Sequence, residues 1–174
     1  ILIAAPMFIM MGELMHRSGM SERLFGALAP WFARIPGRLI HTNIAASAIF
    51  AATSGSSVAT AATIGTVAIP NMDKGGYNRP LFLGSIAAGG TLGILIPPSI
   101  NMIIYAVLTD TSVAQLYAAG FIPGFMLAGL FSLTVFAVAI WRPKLAGPAV
   151  DTAGLWPQRM AGLKHLVPPL GLFL

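Results

Sequence analysis

The stretch Ala51-Ala-Thr-Ser-Gly-Ser-Ser-Val-Ala-Thr60 interrupts an apolar region with hydroxyls and a glycine, and Gly93-Ile-Leu-Ile-Pro-Pro-Ser-Ile100 interrupts a second one. Both put helix-breaking, hydrogen-bonding residues where a membrane span carries unbroken Leu, Ile and Val. Non-helical backbone in hydrocarbon leaves N–H and C=O groups unpaired at several kcal/mol each, unless protein or a water-filled cavity satisfies them. Two such breaks close together predict an ion or substrate site built from interrupted helices.

Composition calls for a membrane. Hydrophobic residues make up 56% of the 174 and charged residues 9%, and the mean hydropathy is +0.82. A soluble domain carries about 25% charged residues to cover its surface. The net charge of +5 comes from ten Lys and Arg confined to short segments between apolar runs, not from a stripe that would meet nucleic acid. That distribution is the one the positive-inside rule describes. With no cysteine, neither a disulfide nor a thiolate metal site is possible. The apolar opening Ile1-Leu-Ile-Ala-Ala-Pro-Met and the apolar close Val167-Pro-Pro-Leu-Gly-Leu-Phe-Leu174 are those of an internal fragment of a larger multi-pass protein.

Four regions follow. Residues 1–38 hold the end of a transmembrane helix, with Glu13 near its boundary, and then an interfacial amphipathic helix that starts at Ser21. The segment 17–38 carries Arg17, Arg23, Arg34 and Arg38 around Leu24, Phe25, Leu28, Trp31 and Phe32. Residues 39–109 form a core. Within it, 39–70 as one helix would be about 48 Å long, against about 30 Å of hydrocarbon. Its middle, Thr53-Ser-Gly-Ser-Ser57, is a good turn and N-cap. Two half-helices, about 40–53 and 57–70, therefore make a re-entrant hairpin over 39–72. Residues 80–108 form an interrupted helix, because Pro97 and Pro98 remove two donors and push Ile96 out of helical dihedrals. Carbonyls at about 93–96 are then freed, and a new helix starts near Pro98. Residues 110–142 provide an external connection, 109–120, and a span over 121–141. Residues 143–174 are a linker, with a short surface helix around 155–162 and the start of another span. With the hairpin in place, all basic segments up to Lys144 fall on one side, and the base-free segment around Asp110 falls on the other.

No catalytic constellation is visible. His16, His41 and His165 lie far apart, and the serines have no Gly-x-Ser-x-Gly context. With almost no charge in the spans and no carboxylate at the depth of the tip, a proton relay is disfavoured. Backbone carbonyls and hydroxyls suit Na⁺, while half-helix N-termini attract an anion. The expected oxygen shell lies between Ser54–Ser57 and Gly93–Pro98, with the Thr91 hydroxyl completing it.

The motifs Pro6-Met-Phe-Ile-Met-Met-Gly12, Phe50–Ala62, Ile69-Pro-Asn-Met72 with Gly76-Tyr77, Thr91-Leu-Gly-Ile-Leu-Ile-Pro-Pro-Ser99 and Ala119-Gly-Phe-Ile-Pro-Gly124 occur in this order. In them the chain resembles the large membrane subunit of tripartite ATP-independent periplasmic (TRAP) transporters, of the dicarboxylate-transporter type. The resemblance covers about residues 4–130. It implies an all-α integral protein of the bacterial inner membrane, here the first half of an inverted-repeat, elevator-type transporter. It further implies Na⁺-coupled secondary uptake of a small carboxylate, such as a dicarboxylate or sialic acid. The implied partners are a periplasmic substrate-binding protein, a small membrane subunit and the lipid bilayer, with no cofactor beyond the coupling ion. By residue match, Ser54, Gly55, Ser56, Ser57, Gly93, Pro97, Pro98 and Ser99 fall in the moving core. The alternatives are an ion-coupled carboxylate carrier without a binding protein and a non-transporting assembly subunit. The two polar breaks would be needless in the latter.

The hairpin makes a topological prediction. Single-cysteine variants Arg38→Cys and Gly75→Cys of the full-length protein should react with membrane-impermeant thiol reagents only from the cytoplasmic side. Strong labelling of either from outside would rule out a re-entrant hairpin.

Overall fold

The computed structural model describes residues 4–147, together with Met160 and Gly162. These residues are helical throughout: α1 (Ala4–Arg17), α2 (Met20–Phe32), α3 (Leu39–Ser54), α4 (Ser57–Gly75), α5 (Arg79–Leu95), α6 (Ile100–Leu108) and α7 (Val113–Trp141), then a 3₁₀ turn, Pro143–Leu145. Two stretches, Arg79–Leu108 taken across its break and Val113–Trp141, are long and apolar enough to cross a membrane.

The central element is α3. Its apolar residues are not gathered on one stripe, so it is suited to burial on all sides. Ile40, Ile44, Ala46, Phe50 and Ala51 are all buried. It packs most extensively on α5 and also touches α1, α2, α4 and α7. The core joins these residues to Leu24 and Phe25 of α2, Ile64 and Met72 of α4, Phe82 and Leu92 of α5, and Val135 of α7. Polar side chains inside it largely satisfy one another. The Asn43 amide donates to Ser85 Oγ at 2.8 Å, and Ser85 donates in turn to the Phe82 carbonyl at 2.7 Å.

Glycines on one face of α5 set its approach to the α3–α4 pair. A Cβ on Gly89 would lie 2.5 Å from Ser47 Oγ, one on Gly90 would lie 2.7 Å from Ala61 Cβ, and one on Gly93 would lie 2.6 Å from the Ser56 carbonyl oxygen. Small residues bring helix backbones together where lipid supplies no hydrophobic drive, leaving dispersion to hold them. Thus α5 lies against both arms of the hairpin.

The half-helices expected at 40–53 and 57–70 appear as α3 and α4, with α4 running one turn further past Pro70. The interrupted helix appears as α5 and α6, but α6 begins at Ile100 and not at Pro98. The N-terminal region departs further. The helix expected over 17–38 spans only Met20–Phe32, and its N-cap is Gly19 at φ 69°, not Ser21. Ser21 is buried, and Leu24, Phe25 and Leu28 are buried with it. These residues line a single face that packs on α3. The connection expected over 109–120 is confined to residues 109–112, because α7 starts at Val113 and runs through Pro123. Gly120 and Gly124 in that stretch pack against Met102 and Ile96, so the segment is held as helix by contacts invisible in its composition. The helix expected at 155–162 lies outside the described residues, apart from Met160 and Gly162.

Gly93→Ala should lower the stability of the full-length protein by about 1–3 kcal/mol, the range for forcing a methyl into a packed contact. Gly84→Ala, with nothing within 4 Å of its added Cβ, should be neutral or stabilise by about 0.5–1 kcal/mol. Thermal unfolding of the two variants checks this, and equal midpoints would show that α5 is not seated by its glycine face.

Candidate functional site: the hairpin tip and the helix break

Two residues turn the chain between α3 and α4. Gly55, at φ 59° and ψ 14°, caps α3, with its N–H on the Ala51 carbonyl at 2.9 Å. Only glycine enters this left-handed region without a steric penalty. Ser56 is extended and caps α4, its hydroxyl accepting from Ala59 N–H at 3.4 Å. A C-terminal carbonyl end and an N-terminal amide end of two helices thus stand side by side, one favouring cations and the other anions. A hydroxyl relay braces the turn. Ser54 Oγ and Thr60 Oγ1 are 2.8 Å apart, and Thr60 donates to the Ser56 carbonyl at 2.7 Å.

The break in the second pair comes to this tip. Ile96 is extended at φ −79° and ψ 120°, and its N–H still reaches the Leu92 carbonyl at 2.8 Å. Pro97 and Pro98 have no N–H, so the Gly93 and Ile94 carbonyls have no donor four residues on. Ser99 is the N-cap of α6 without a side-chain cap bond. Its carbonyl accepts from Ile103 N–H at 3.2 Å and from the Tyr117 hydroxyl at 3.5 Å. The two motifs are joined directly: Ile100 N–H donates to the Gly55 carbonyl at 3.2 Å. A Cβ on Gly55 would sit 2.8 Å from the Pro98 carbonyl oxygen. Ser99 Oγ is fully buried and has no hydrogen-bond partner. Such an orphan in a native fold calls for an explanation.

Of the residues singled out by sequence, Ser54, Gly55, Ser56, Gly93, Pro98 and Ser99 gather at this junction. Ser57 opens α4, with its backbone N 2.9 Å from where a Gly93 Cβ would lie. Pro97 is buried on another side, lining an apolar cavity of about 190 Å³ with Ala48, Ile49, Phe121 and Phe125. Thr91 is not brought in. It is exposed, on the face of α5 away from Gly90 and Gly93, and its hydroxyl donates to the Ala88 carbonyl of its own helix at 2.6 Å.

Two residues escaped the sequence analysis. Thr60 is buried and closes the tip relay; helical spacing from Ser56 was the available signal. The other is Glu13. A cavity of about 280 Å³ beside the tip is lined by Gly12, Glu13, Ser54, Ser56, Ala59 and Thr63. A Gly12 Cβ would be 3.3 Å from Ser54 Cα, and this close approach sets α1 against the tip. The expectation of no carboxylate at that level is therefore corrected: Glu13 opens onto the same cavity as Ser54 and Ser56. Its Oε1 accepts from Arg17 Nε at 2.7 Å, with side-chain exposures of 54% and 77%. An exposed i,i+4 pair of this kind adds about 0.3–0.5 kcal/mol of stability.

Thr60→Val removes the hydroxyl between Ser54 and Ser56 and should destabilise the full-length protein by about 1–2 kcal/mol. Thr91→Val should change stability by less than about 0.5 kcal/mol. Chemical or thermal unfolding midpoints distinguish these, and equal effects would show that the relay does not brace the turn.

The whole chain, residues 1–174, matches the family described as the tripartite ATP-independent periplasmic transporter, DctM component. It is 40% identical over 150 residues to the C4-dicarboxylate TRAP transporter large permease protein DctM of Pseudomonas aeruginosa, covering 86% of this chain and 35% of that protein. It is 34% identical over 170 residues to the ectoine TRAP transporter large permease protein TeaC of Halomonas elongata, covering 98% and 39%. It is 40% identical over 126 residues to the sialic acid TRAP transporter permease protein SiaT of Haemophilus influenzae, covering 72% and 20%. The chain thus spans well under half the length of these relatives. With a match along its full length, and with both polar breaks inside the matched region, this chain belongs to the DctM component family of TRAP transporters.

Proposed function

We propose that this chain is the portion of a secondary transporter that forms one hairpin and one broken helix of a Na⁺-coupled carboxylate site. The single observation that carries it is the convergence of the tip and the break, joined by Ile100 N–H on the Gly55 carbonyl. Facing ends of interrupted helices are how secondary transporters build ion and substrate sites near the bilayer midplane. The short α3 supports a re-entrant hairpin: 16 residues make about 24 Å, less than the hydrocarbon core of about 30 Å.

The coupling ion would lie between Ser54–Ser57 and the Gly93–Pro98 break, drawing on carbonyls that the prolines leave without donors and on the buried Ser99 hydroxyl. Thr91, on the far face of α5, is not among its ligands. Glu13, at the cavity beside the tip, adds negative charge on the approach to that site. The substrate would be a small organic acid; the relatives are named for C4-dicarboxylate, ectoine and sialic acid. Delivery by a periplasmic binding protein, a small membrane subunit as partner, residence in the bacterial inner membrane and an elevator motion all rest on family membership. So does a second hairpin of inverted topology in the length this chain does not span.

Uptake by the intact transporter tests the site. Ser54→Ala, Ser56→Ala or Ser57→Ala should weaken apparent Na⁺ affinity about five- to thirtyfold where the hydroxyl is a ligand, corresponding to about 1–2 kcal/mol. Glu13→Gln should weaken it by up to about fivefold, as fits a partly exposed charge. Pro97→Ala should act by letting the helix close over its freed carbonyls. If all of these variants keep the wild-type Na⁺ dependence, the ion binds elsewhere and the hairpin only packs.

A further inference from the structure

The link between the hairpin tip and the helix break runs through one peptide unit. At one end, Ile100 N–H donates to the Gly55 carbonyl at 3.2 Å. At the other, the Ser99 carbonyl accepts from the Tyr117 hydroxyl at 3.5 Å and from Ile103 N–H at 3.2 Å. The Ser99–Ile100 peptide is trans and planar, so its C=O and N–H point in opposite directions. Tyr117 on α7 and Gly55 at the tip therefore hold the same plane from its two sides.

A carbonyl oxygen has two lone pairs. Ile103 and Tyr117 engage both, so the Ser99 carbonyl is taken up by the fold. The buried Ser99 hydroxyl is the group of this residue left without a partner. The Ile103 bond is the first of α6 and turns with that helix. The Tyr117 bond comes from outside it and ties the peptide to a separate element. Hydrogen bonds in series polarise one another, and the Tyr117 hydroxyl, the Ser99–Ile100 peptide and the Gly55 carbonyl form such a series.

The packing of α7 brings the phenol to this place. Tyr117, Gly120 and Gly124 share one face by helical spacing. A Cβ on Gly120 would lie 2.6 Å from Met102 Cε and 3.1 Å from the Leu95 carbonyl oxygen, and one on Gly124 would lie 2.9 Å from Ile96 Cγ1. Leu95 ends α5 and Met102 lies in the first turn of α6, so this face seats on both sides of the break. Small residues allow that approach, and Tyr117 adds the polar contact.

We propose that Tyr117 is a positioning residue for the ion site. It supplies no ligand. Its hydroxyl fixes the Ser99–Ile100 peptide so that Ile100 N–H stays on Gly55 and the Ser99 hydroxyl stays at the meeting of the helix ends. The role rests on the ion site proposed above, and it makes α7 part of that site's frame.

Thermal unfolding of the purified full-length transporter, titrated with NaCl against choline chloride at constant ionic strength, reports Na⁺ binding without substrate. Wild type should gain stability with Na⁺. Tyr117→Phe should keep a midpoint near wild type in choline, because Ile103 still satisfies the Ser99 carbonyl. It should need about fivefold more Na⁺ for the same gain, as when the freed peptide holds the binding orientation about one time in five. Tyr105→Phe, an exposed tyrosine on α6, should leave the titration unchanged. An unshifted titration in Tyr117→Phe, whether or not its midpoint falls, overturns the positioning role, as does an equal shift in Tyr105→Phe. Ser99→Ala separates that failure from failure of the ion site. Weakened Na⁺ binding in Ser99→Ala leaves the ion site standing, whereas a wild type without any Na⁺ response overturns the ion site and the positioning role together.

Discussion

The structure depends on the close approach of α5 to the backbone of the hairpin. Gly89 faces Ser47 on α3, while Gly90 and Gly93 face Ala61 and the Ser56–Ser57 peptide at the start of α4. These contacts fix how far along the hairpin α5 lies. Once Gly93 is level with Ser56, the chain a few residues further on has to meet the tip, and Pro98 and Ile100 do meet Gly55. A methyl on any of these glycines would push α5 away and shift the break out of register. The breaks of two separate helices therefore meet because of residues that carry no chemistry.

Buried polarity falls into two kinds. Thr53, Ser54, Thr60 and Ser85 find protein partners within a few residues or across one helix contact. They serve the fold, since an unpaired polar group in an apolar interior is expensive. Ser99 Oγ does not, and neither do Ser21 Oγ in α2 or Asn43 Oδ1 and Ser47 Oγ at the α3–α5 contact. Of these four, Ser99 alone stands at the meeting of two helix ends, where Pro97 and Pro98 deny the Gly93 and Ile94 carbonyls their helical donors. Polarity left over at such a place is the feature on which the proposed ion site rests.

The outer surface follows the same logic in reverse. α7 is 11% buried over its most apolar window and exposes Phe121, Ile122, Phe125, Met126, Leu130 and Leu133. A contiguous apolar face of this size belongs against lipid or neighbouring helices. α3, with a similarly even distribution of apolar residues, has no exposed residue. The two helices are alike in pattern and opposite in environment, and nothing in their own residues says which is which.

Much was legible in the sequence because helix ends obey local rules. Ser-Gly-Ser at 54–56 had to cap and turn, and Pro97-Pro98 had to break a helix, whatever packs around them. The all-helical class and the two interrupted pairs followed from those residues and from the apolar runs. Tertiary structure decided which groups meet. It turned Thr91 away from the tip, because a helix places residues 91 and 93 on nearly opposite faces. It delivered Glu13 to the cavity beside Ser54 through the close approach of Gly12, and it packed the apolar face of α2 against α3. Local backbone chemistry is written in consecutive residues, but the company a side chain keeps depends on helices far apart in the chain, and only the packed structure sets that.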